Sequence, residues 1–84
     1  MSKTTHGHYR LRVTTDADPG SLARILERFQ NVNVLPRRVI AEHAGPDRCH
    51  VQLDVTGVTE EFLALVTAKI GQCPAVLNAY WHYV

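Results

Sequence analysis

The spacing of the apolar residues changes along the chain, and the order of these changes constrains the fold more than any other feature. His8 to Thr14 alternates polar and apolar residues, which is typical of a strand with one buried face. From Leu22 to Phe29 the apolar residues recur at spacings of three, four and seven, which predicts a helix that packs on a sheet by one side. Cys49 to Val55 returns to strict alternation. A helix therefore lies between two strands that each bury one face.

Three further segments complete the pattern. Val32 to Ala44 is predicted to form a strand, and Pro36 within it, which has no amide donor, places that strand at a sheet edge or at a bulge. Gly45 to Asp47 supplies a turn that joins the second and third strands into a hairpin. Thr59 to Gln72 is predicted to form a second helix with a threonine cap, and Ala75 to Val84 a final strand. The residues at helical spacing in the second helix, here called its stripe, are predicted to be Phe62, Leu65, Val66, Lys69 and Ile70.

The predicted order of elements is strand, helix, strand, strand, helix, strand. This order predicts an α+β fold, the ferredoxin-like βαββαβ sandwich, in which a four-stranded antiparallel sheet carries two helices on one face. Right-handed crossovers place the first and third strands in the centre of the sheet and the second and fourth at its edges. Because 84 residues suffice for one core, residues 1–84 are expected to form a single domain with a flexible N-terminal tail at residues 1–7.

The charge and the thiols narrow the classes of partner. Nine basic and eight acidic side chains give a formal net charge of +1, which provides no broad basic surface for nucleic acid or for an anionic membrane. No apolar run is long enough to cross a bilayer, and the first residues lack the apolar core of a signal peptide. Cys49 and Cys73 have no metal-binding spacing and are expected to stay reduced. We therefore expect a cytoplasmic protein that contacts neither nucleic acid nor membrane.

Catalytic and metal chemistry find little support in the sequence. A metal-carrying protein of this fold would need Cys-x-x-Cys in its first loop, and that loop contains neither sulfur nor imidazole. A hydrolase of the acylphosphatase type would need arginine and free amides around a phosphate there, whereas this loop carries carboxylates. His43 and His50 flank the hairpin turn and are either cross-strand neighbours or separate solvent-facing residues. No catalytic residue, metal ligand or cofactor is therefore predicted.

Side chains on the strands leave one alternative open. The face of the central strands opposite the helices is predicted to carry Arg10, Arg12, His50, Gln52 and Asp54. That face lacks the aromatic residues on which RNA-binding versions of the fold stack bases. Arg37 and Arg38 on the edge strand are either an anion contact or charges that discourage unwanted strand pairing. Tyr80, Trp81 and Tyr83 are expected to cover the core and the sheet edge rather than to form a ligand platform.

The segment Asp16 to Leu22, here called the junction, links the first strand to the first helix. Asp18 is suited to cap the helix through its carboxylate, and Pro19 suits the first helical position. Gly20 is not explained by a helix start, because glycine costs a helix up to about 1 kcal/mol relative to alanine. A residue without a side chain beside free helix amides suits the carboxylate of a small amino acid, and Asp16 could accept its ammonium group. The junction is therefore either a helix start alone or a ligand site.

The same part of the chain resembles a known family. The string DADPGSLARILERF, in which Pro19, Gly20 and Leu22 precede Ile25 and Phe29, resembles the corresponding part of an ACT domain, the regulatory module of amino-acid metabolism. A free-standing chain of this length most resembles the small regulatory subunit of acetolactate synthase, an enzyme of branched-chain amino-acid biosynthesis, in its one-domain form.

This resemblance implies a site, a partner and a mechanism. The effector-binding residues that it implies are Asp16, Ala17, Asp18, Pro19, Gly20, Ser21, Leu22 and Asn33. A homodimer or higher oligomer joined through the second strand and first helix would hold a small amino acid between two copies and bias the acetolactate synthase large subunit. The thiamine diphosphate, flavin and magnesium of that reaction belong to the large subunit, so this chain would be non-catalytic. A free-standing amino-acid sensor that regulates another enzyme is the alternative, and a small enzyme or metal-binding protein on the same scaffold is less favoured.

Overall fold

The computed structural model describes residues 7–84 and contains the predicted elements in the predicted order. These elements are β1 (Gly7–Asp16), α1 (Pro19–Gln30), β2 (Arg38–His43), β3 (Arg48–Val58), α2 (Glu60–Gly71) and β4 (Val76–Tyr83). The predicted flexible tail at residues 1–7 lies outside the described residues except for Gly7, which begins β1. None of the described helices is long and apolar enough to cross a membrane.

The strands form one antiparallel sheet in the order β2-β3-β1-β4, which confirms that the first and third strands are central. The two central strands are paired along almost their whole length, from Gly7 opposite Val58 to Asp16 opposite Arg48. The fold class is therefore the ferredoxin-like βαββαβ sandwich that the sequence predicts.

The hydrophobic core lies between the sheet and the two helices. The alternating residues of both central strands point into it as predicted, and the helices close it from one side. The most deeply buried members are Tyr9, Leu11, Val13, Ile25, Phe29, Val51, Leu53, Val55, Leu63, Val66 and Ile70. Side chains at the intervening strand positions, such as Arg10 and Gln52, face the other side of the sheet, here called the open face.

The second strand is shorter than predicted. The prediction ran from Val32 to Ala44, whereas β2 begins only at Arg38. Asn33 adopts a left-handed φ of 59° and the amide of Val34 donates to the carbonyl of Phe29 at 3.0 Å, so the chain turns over the helix end before it can extend. Pro36, without an amide donor, therefore lies before the strand rather than within it.

The second helix confirms the predicted cap and corrects the predicted stripe. The Thr59 hydroxyl accepts a hydrogen bond from the amide of Phe62 at 3.1 Å, as an N-cap does. The buried residues of α2 are Leu63, Val66 and Ile70, whereas Leu65 is 57% exposed. The predicted stripe was wrong at Leu65 and Lys69, which are exposed, because the buried side of the helix follows Leu63, Val66 and Ile70.

Candidate functional site

The backbone of the junction is fixed on both sides. The amide of Asp16 donates to the carbonyl of Ala75 at 2.9 Å, and the amide of Ala17 donates to the carbonyl of Asp47 at 3.0 Å. The Thr15 hydroxyl also donates to the Ala75 carbonyl, at 2.9 Å. The junction is thus held between the entry to β4 and the hairpin turn, and α1 starts from a defined position.

At the start of α1 the backbone is as predicted, but the side chain of the N-cap residue, Asp18, is not. Asp18 occupies the N-cap with extended angles, φ −108° and ψ 131°, and Pro19 begins the helix. The Asp18 carboxylate makes no capping hydrogen bond, so the prediction that it accepts the free amides was wrong. The amide of Ser21 donates to the backbone carbonyl of Asp18 at 2.9 Å instead. Among residues 7–84, the amide of Gly20 has no backbone acceptor outside the helix and faces no capping side chain.

Packing within the chain does not require glycine at position 20. A Cβ placed on Gly20 would lie 3.2 Å from Oδ2 of Asp18 and 3.9 Å from Nη1 of Arg24, both at the ends of flexible side chains. The left-handed glycines of the described chain are Gly45 and Gly57, so Gly20 is not needed for its φ either. A close approach by something outside the chain is therefore still a hypothesis that would explain the glycine.

The structure spreads the predicted site residues over different environments. Asp16, Asp18 and Pro19 are exposed, while Ala17, Gly20 and Leu22 are intermediate. Ser21 is only 3% exposed, and its hydroxyl has no hydrogen-bond partner among the described residues. Asn33 lies beyond the opposite end of the 12-residue helix α1, roughly 18 Å along its axis. One copy of the chain therefore does not bring Asn33 to the junction.

Beside β2 lies an apolar surface that the sequence reading missed. The inner face of β2 is uncovered: Val39, Ala41 and His43 on that face are all exposed, Val39 to 39%. Next to it, a hollow of about 370 Å³ is lined by Leu26, Phe29, Val34, Leu35 and Pro36. Leu35 is 90% exposed. The sequence predicted Val34, Leu35 and Pro36 as part of the second strand, and the apolar run around Pro36 was the only signal for this surface.

The open face is an ordered polar surface. The Arg10 guanidinium makes two hydrogen bonds to the Asp54 carboxylate, at 2.8 and 3.2 Å, and holds the pKa of that carboxyl below its ordinary value. Arg12 Nε donates to Nε2 of His82 at 3.2 Å. This confirms the predicted polar character of the face and extends it to β4.

The possible histidine pair at the hairpin is not formed. His43 is opposite Cys49 and therefore lies on the inner face, whereas His50 is opposite Glu42 on the open face. Nδ1 of His50 is 3.1 Å from the hydroxyl of Thr14. Within residues 7–84 no group of three or more His, Cys, Asp or Glu side chains is placed to hold a metal ion.

The aromatic residues of β4 mostly cover the core, as predicted. Trp81 packs edge-on against Tyr9, with ring centroids 5.6 Å apart. The Tyr83 hydroxyl donates to Glu60 at the start of α2, and this hydrogen bond raises the pKa of Tyr83 to about 12. Tyr80 differs from these residues because it lies on the open face, stacked with His82.

Comparison with known proteins supports the fold but does not identify the chain with any one protein. No protein-family model and no curated protein matches the sequence. The C-terminal domain of the MgtC protein from Mycobacterium tuberculosis is 18% identical, with a TM-score of 0.76, over 100% of this chain and 94% of that one. The ACT domain of GTP pyrophosphokinase from Chlorobium tepidum is 13% identical, with a TM-score of 0.79, over 93% and 100%.

A third solved structure, the regulatory subunit of aspartate kinase from Thermus flavus, is 13% identical with a TM-score of 0.67. The similarity covers 99% of this chain and 58% of that one. The described chain thus has the ferredoxin-like fold of ACT domains, and at these identities the likeness concerns the fold.

Proposed function

We propose that this chain is a non-catalytic ACT-type regulatory module of amino-acid metabolism and that it works as a dimer joined through β2 and α1. The observation that carries the proposal is the uncovered inner face of β2, with Val39 exposed beside the hollow that contains Leu35. β2 is also a sheet edge without proline, so its backbone groups are free to pair with another strand. A second copy would cover the apolar surface and satisfy the edge together.

A dimer of this kind would also complete the effector site. If β2 pairs with its copy about a two-fold axis, the two α1 helices run in opposite directions, so Asn33 of one copy lies at the end of the sheet that holds the other copy's junction. The free amide of Gly20 can then donate to the carboxylate of a small amino acid. The exposed carboxylates of Asp16 and Asp18 are available for its ammonium group.

The proposed partner enzyme is the large subunit of acetolactate synthase, on the strength of the sequence resemblance. The alternative is an amino-acid sensor that acts on another enzyme. It is favoured by some of the solved structures of similar fold, since three of them come from three different enzymes: GTP pyrophosphokinase, aspartate kinase and a homoserine dehydrogenase. In both cases the chain itself performs no chemistry and acts by changing the conformational equilibrium of its partner.

Calorimetry tests the effector site. Valine, leucine, isoleucine and then the other amino acids are titrated into the wild type, Gly20→Val and Gly71→Val. Gly71→Val is the matched control, because a Cβ at Gly71 meets nothing within 4 Å and the position is far along the other helix. We expect one amino acid to bind the wild type and the control but not Gly20→Val, with all three proteins dimeric by light scattering. No binding of any amino acid to the wild type would eliminate the effector site.

Co-purification tests the enzyme partner. The chain is expressed together with an acetolactate synthase large subunit, and turnover is measured with and without it. A stable complex with increased turnover supports the assignment. If the amino acid binds but no complex forms, the sensor alternative replaces it.

A further inference from the structure

A second hollow lies on the open face, at the end where β2 begins. Its volume is about 320 Å³, at the lower limit of pockets that hold small metabolites. Arg37 and Arg38 line one side, and His8 of β1 and Thr56 of β3 line the other. Since His8 is directly opposite Thr56 in the sheet, both side chains stand on the same face. All of these residues belong to one chain, so the hollow does not depend on a dimer.

The charges around this hollow are unbalanced. Its one acidic side chain is Asp54, which is bound by Nε and Nη2 of Arg10 and lies opposite Arg38 in the sheet; Val84, the last residue of the sequence, also lines the hollow. Among residues 7–84 the Arg10–Asp54 contact is the only salt bridge, so neither Arg37 nor Arg38 is paired with a carboxylate of its own chain. Within one chain, three guanidinium groups therefore surround a single acidic side chain. In the proposed dimer Arg38 of β2 faces the second copy, so the positive charge that stays unpaired there is that of Arg37, which precedes β2, and it attracts an anion.

Protection of the sheet edge explains only part of this arrangement. Arg38 belongs to β2, where a charged side chain discourages unwanted pairing. Arg37 precedes the strand, and its backbone amide donates to the carbonyl of Asp54 at 2.8 Å. That bond fixes the backbone of Arg37 against β3 at the edge of the hollow. An arginine held there but left without an acid is better explained by an external anion.

We propose that this hollow, formed by Arg37, Arg38, His8 and Thr56, binds the phosphate group of a small organic phosphate. A planar carboxylate is satisfied by one arginine in a bidentate pair, as Asp54 is by Arg10. A tetrahedral phosphate accepts hydrogen bonds from several directions, which suits two guanidinium groups and a hydroxyl that come from different strands. The ligand class is thus distinct from the amino acid proposed for the junction.

The test is a two-dimensional NMR titration at constant ionic strength, with inorganic phosphate as the probe and succinate as the comparison anion. We expect saturable shifts of the amides of His8, Arg37 and Thr56 with phosphate. Arg37→Gln is the decisive variant, because it removes one charged donor and leaves β2 unchanged. Its dissociation constant for phosphate should rise about tenfold or more. Arg48→Gln, an exposed arginine at the opposite end of β3, is the matched control and should bind like the wild type.

Three results would overturn the proposal. They are the absence of saturable shifts, an equal loss of affinity in both arginine variants, and binding of succinate as tight as that of phosphate. Equal losses would mean general attraction by positive charge. Light scattering and amino-acid calorimetry on Arg37→Gln keep this result separate from the regulatory proposal, since both should match the wild type.

Discussion

The proposed dimer makes a specific prediction about strand register. We call the pairing of β2 with its copy the seam. The helices of both copies lie on the same side of the joined sheet only if every two residues paired across the seam point to the same face, either both inner or both open. Of the registers that this condition allows, those with Ile40 or Ala41 on the two-fold axis pair the largest part of β2. With Ile40 on the axis, Arg38 of each copy lies opposite Glu42 of the other. With Ala41 on the axis, Glu42 lies opposite the apolar Ile40. The charges therefore favour the first register.

Glu42→Arg tests this register. An opposite-charge pair across two strands contributes about 0.2–1 kcal/mol, and a like-charge pair destabilises by a similar amount. The seam contains the pair twice, so replacing two attractive contacts by two repulsive ones should cost about 2 kcal/mol, which is roughly a thirtyfold weaker dimer. Within its own chain Glu42 is opposite His50, so no salt bridge of the fold is lost. Glu42→Gln removes only the attraction and should weaken the dimer by about 1 kcal/mol.

The assay is sedimentation equilibrium, and mixed chains provide the control. Arg38→Glu and Glu42→Arg should each dimerise poorly alone. In their mixture, both seam contacts join an arginine to a glutamate, so a heterodimer should form with near wild-type affinity. A Glu42→Arg dimer as tight as the wild type, or a mixture no tighter than its components, would refute the Ile40-centred register.

Three further predictions concern the single chain. Thr59→Ala should lower the free energy of unfolding by about 1 kcal/mol in urea titrations, whereas Asp18→Ala, whose carboxylate caps nothing, should change it by less than about 0.5 kcal/mol. Ser21→Ala removes a buried hydroxyl without a partner and should raise the free energy of unfolding by about 1 kcal/mol; a decrease would mean that the hydroxyl is bonded. Because Arg10 lowers the pKa of Asp54, the stability from this pair is present above the unfolded pKa near 3.8 and is lost as pH falls through the folded value. Arg10→Gln should therefore reduce the loss of stability measured on acidification.

Local patterns predicted the fold because they record which face of an element is buried. The alternation of His8 to Thr14 and of Cys49 to Val55 assigns both central strands correctly, since a side chain's facing follows from its parity alone. The same reasoning failed from Val32 to Arg37. There the apolar residues line an exposed hollow after the end of α1 instead of forming a strand. The left-handed backbone of Asn33, which turns the chain at this point, cannot be recognised from the spacing of apolar residues.

The candidate sites were harder to predict because they depend on pairing between distant segments. The separation of His43 from His50 follows from the length of the hairpin turn, which sets the register and so the face of each residue. The surplus charge at Arg37 becomes visible only when Asp54 is seen to be bound by Arg10 on another strand. At Asp18 the position was predicted correctly and the contact was not: the sequence identified the N-cap residue but could not give the direction of its side chain.

The proposed effector site is incomplete in one copy of the chain, and this determines how regulation would work. Asn33 and the junction lie at opposite ends of α1, so a ligand that contacts both must bridge two copies. Such a ligand binds the dimer and not the monomer, and it stabilises the dimer by mass action. Because coupling between two equilibria is reciprocal, weakening the seam must weaken amino-acid binding by the same free energy at low protein concentration. Glu42→Arg should therefore lower the apparent affinity for the amino acid although Glu42 is outside the junction, and raising the protein concentration should restore it. An affinity independent of protein concentration would mean that the ligand is held by one copy alone.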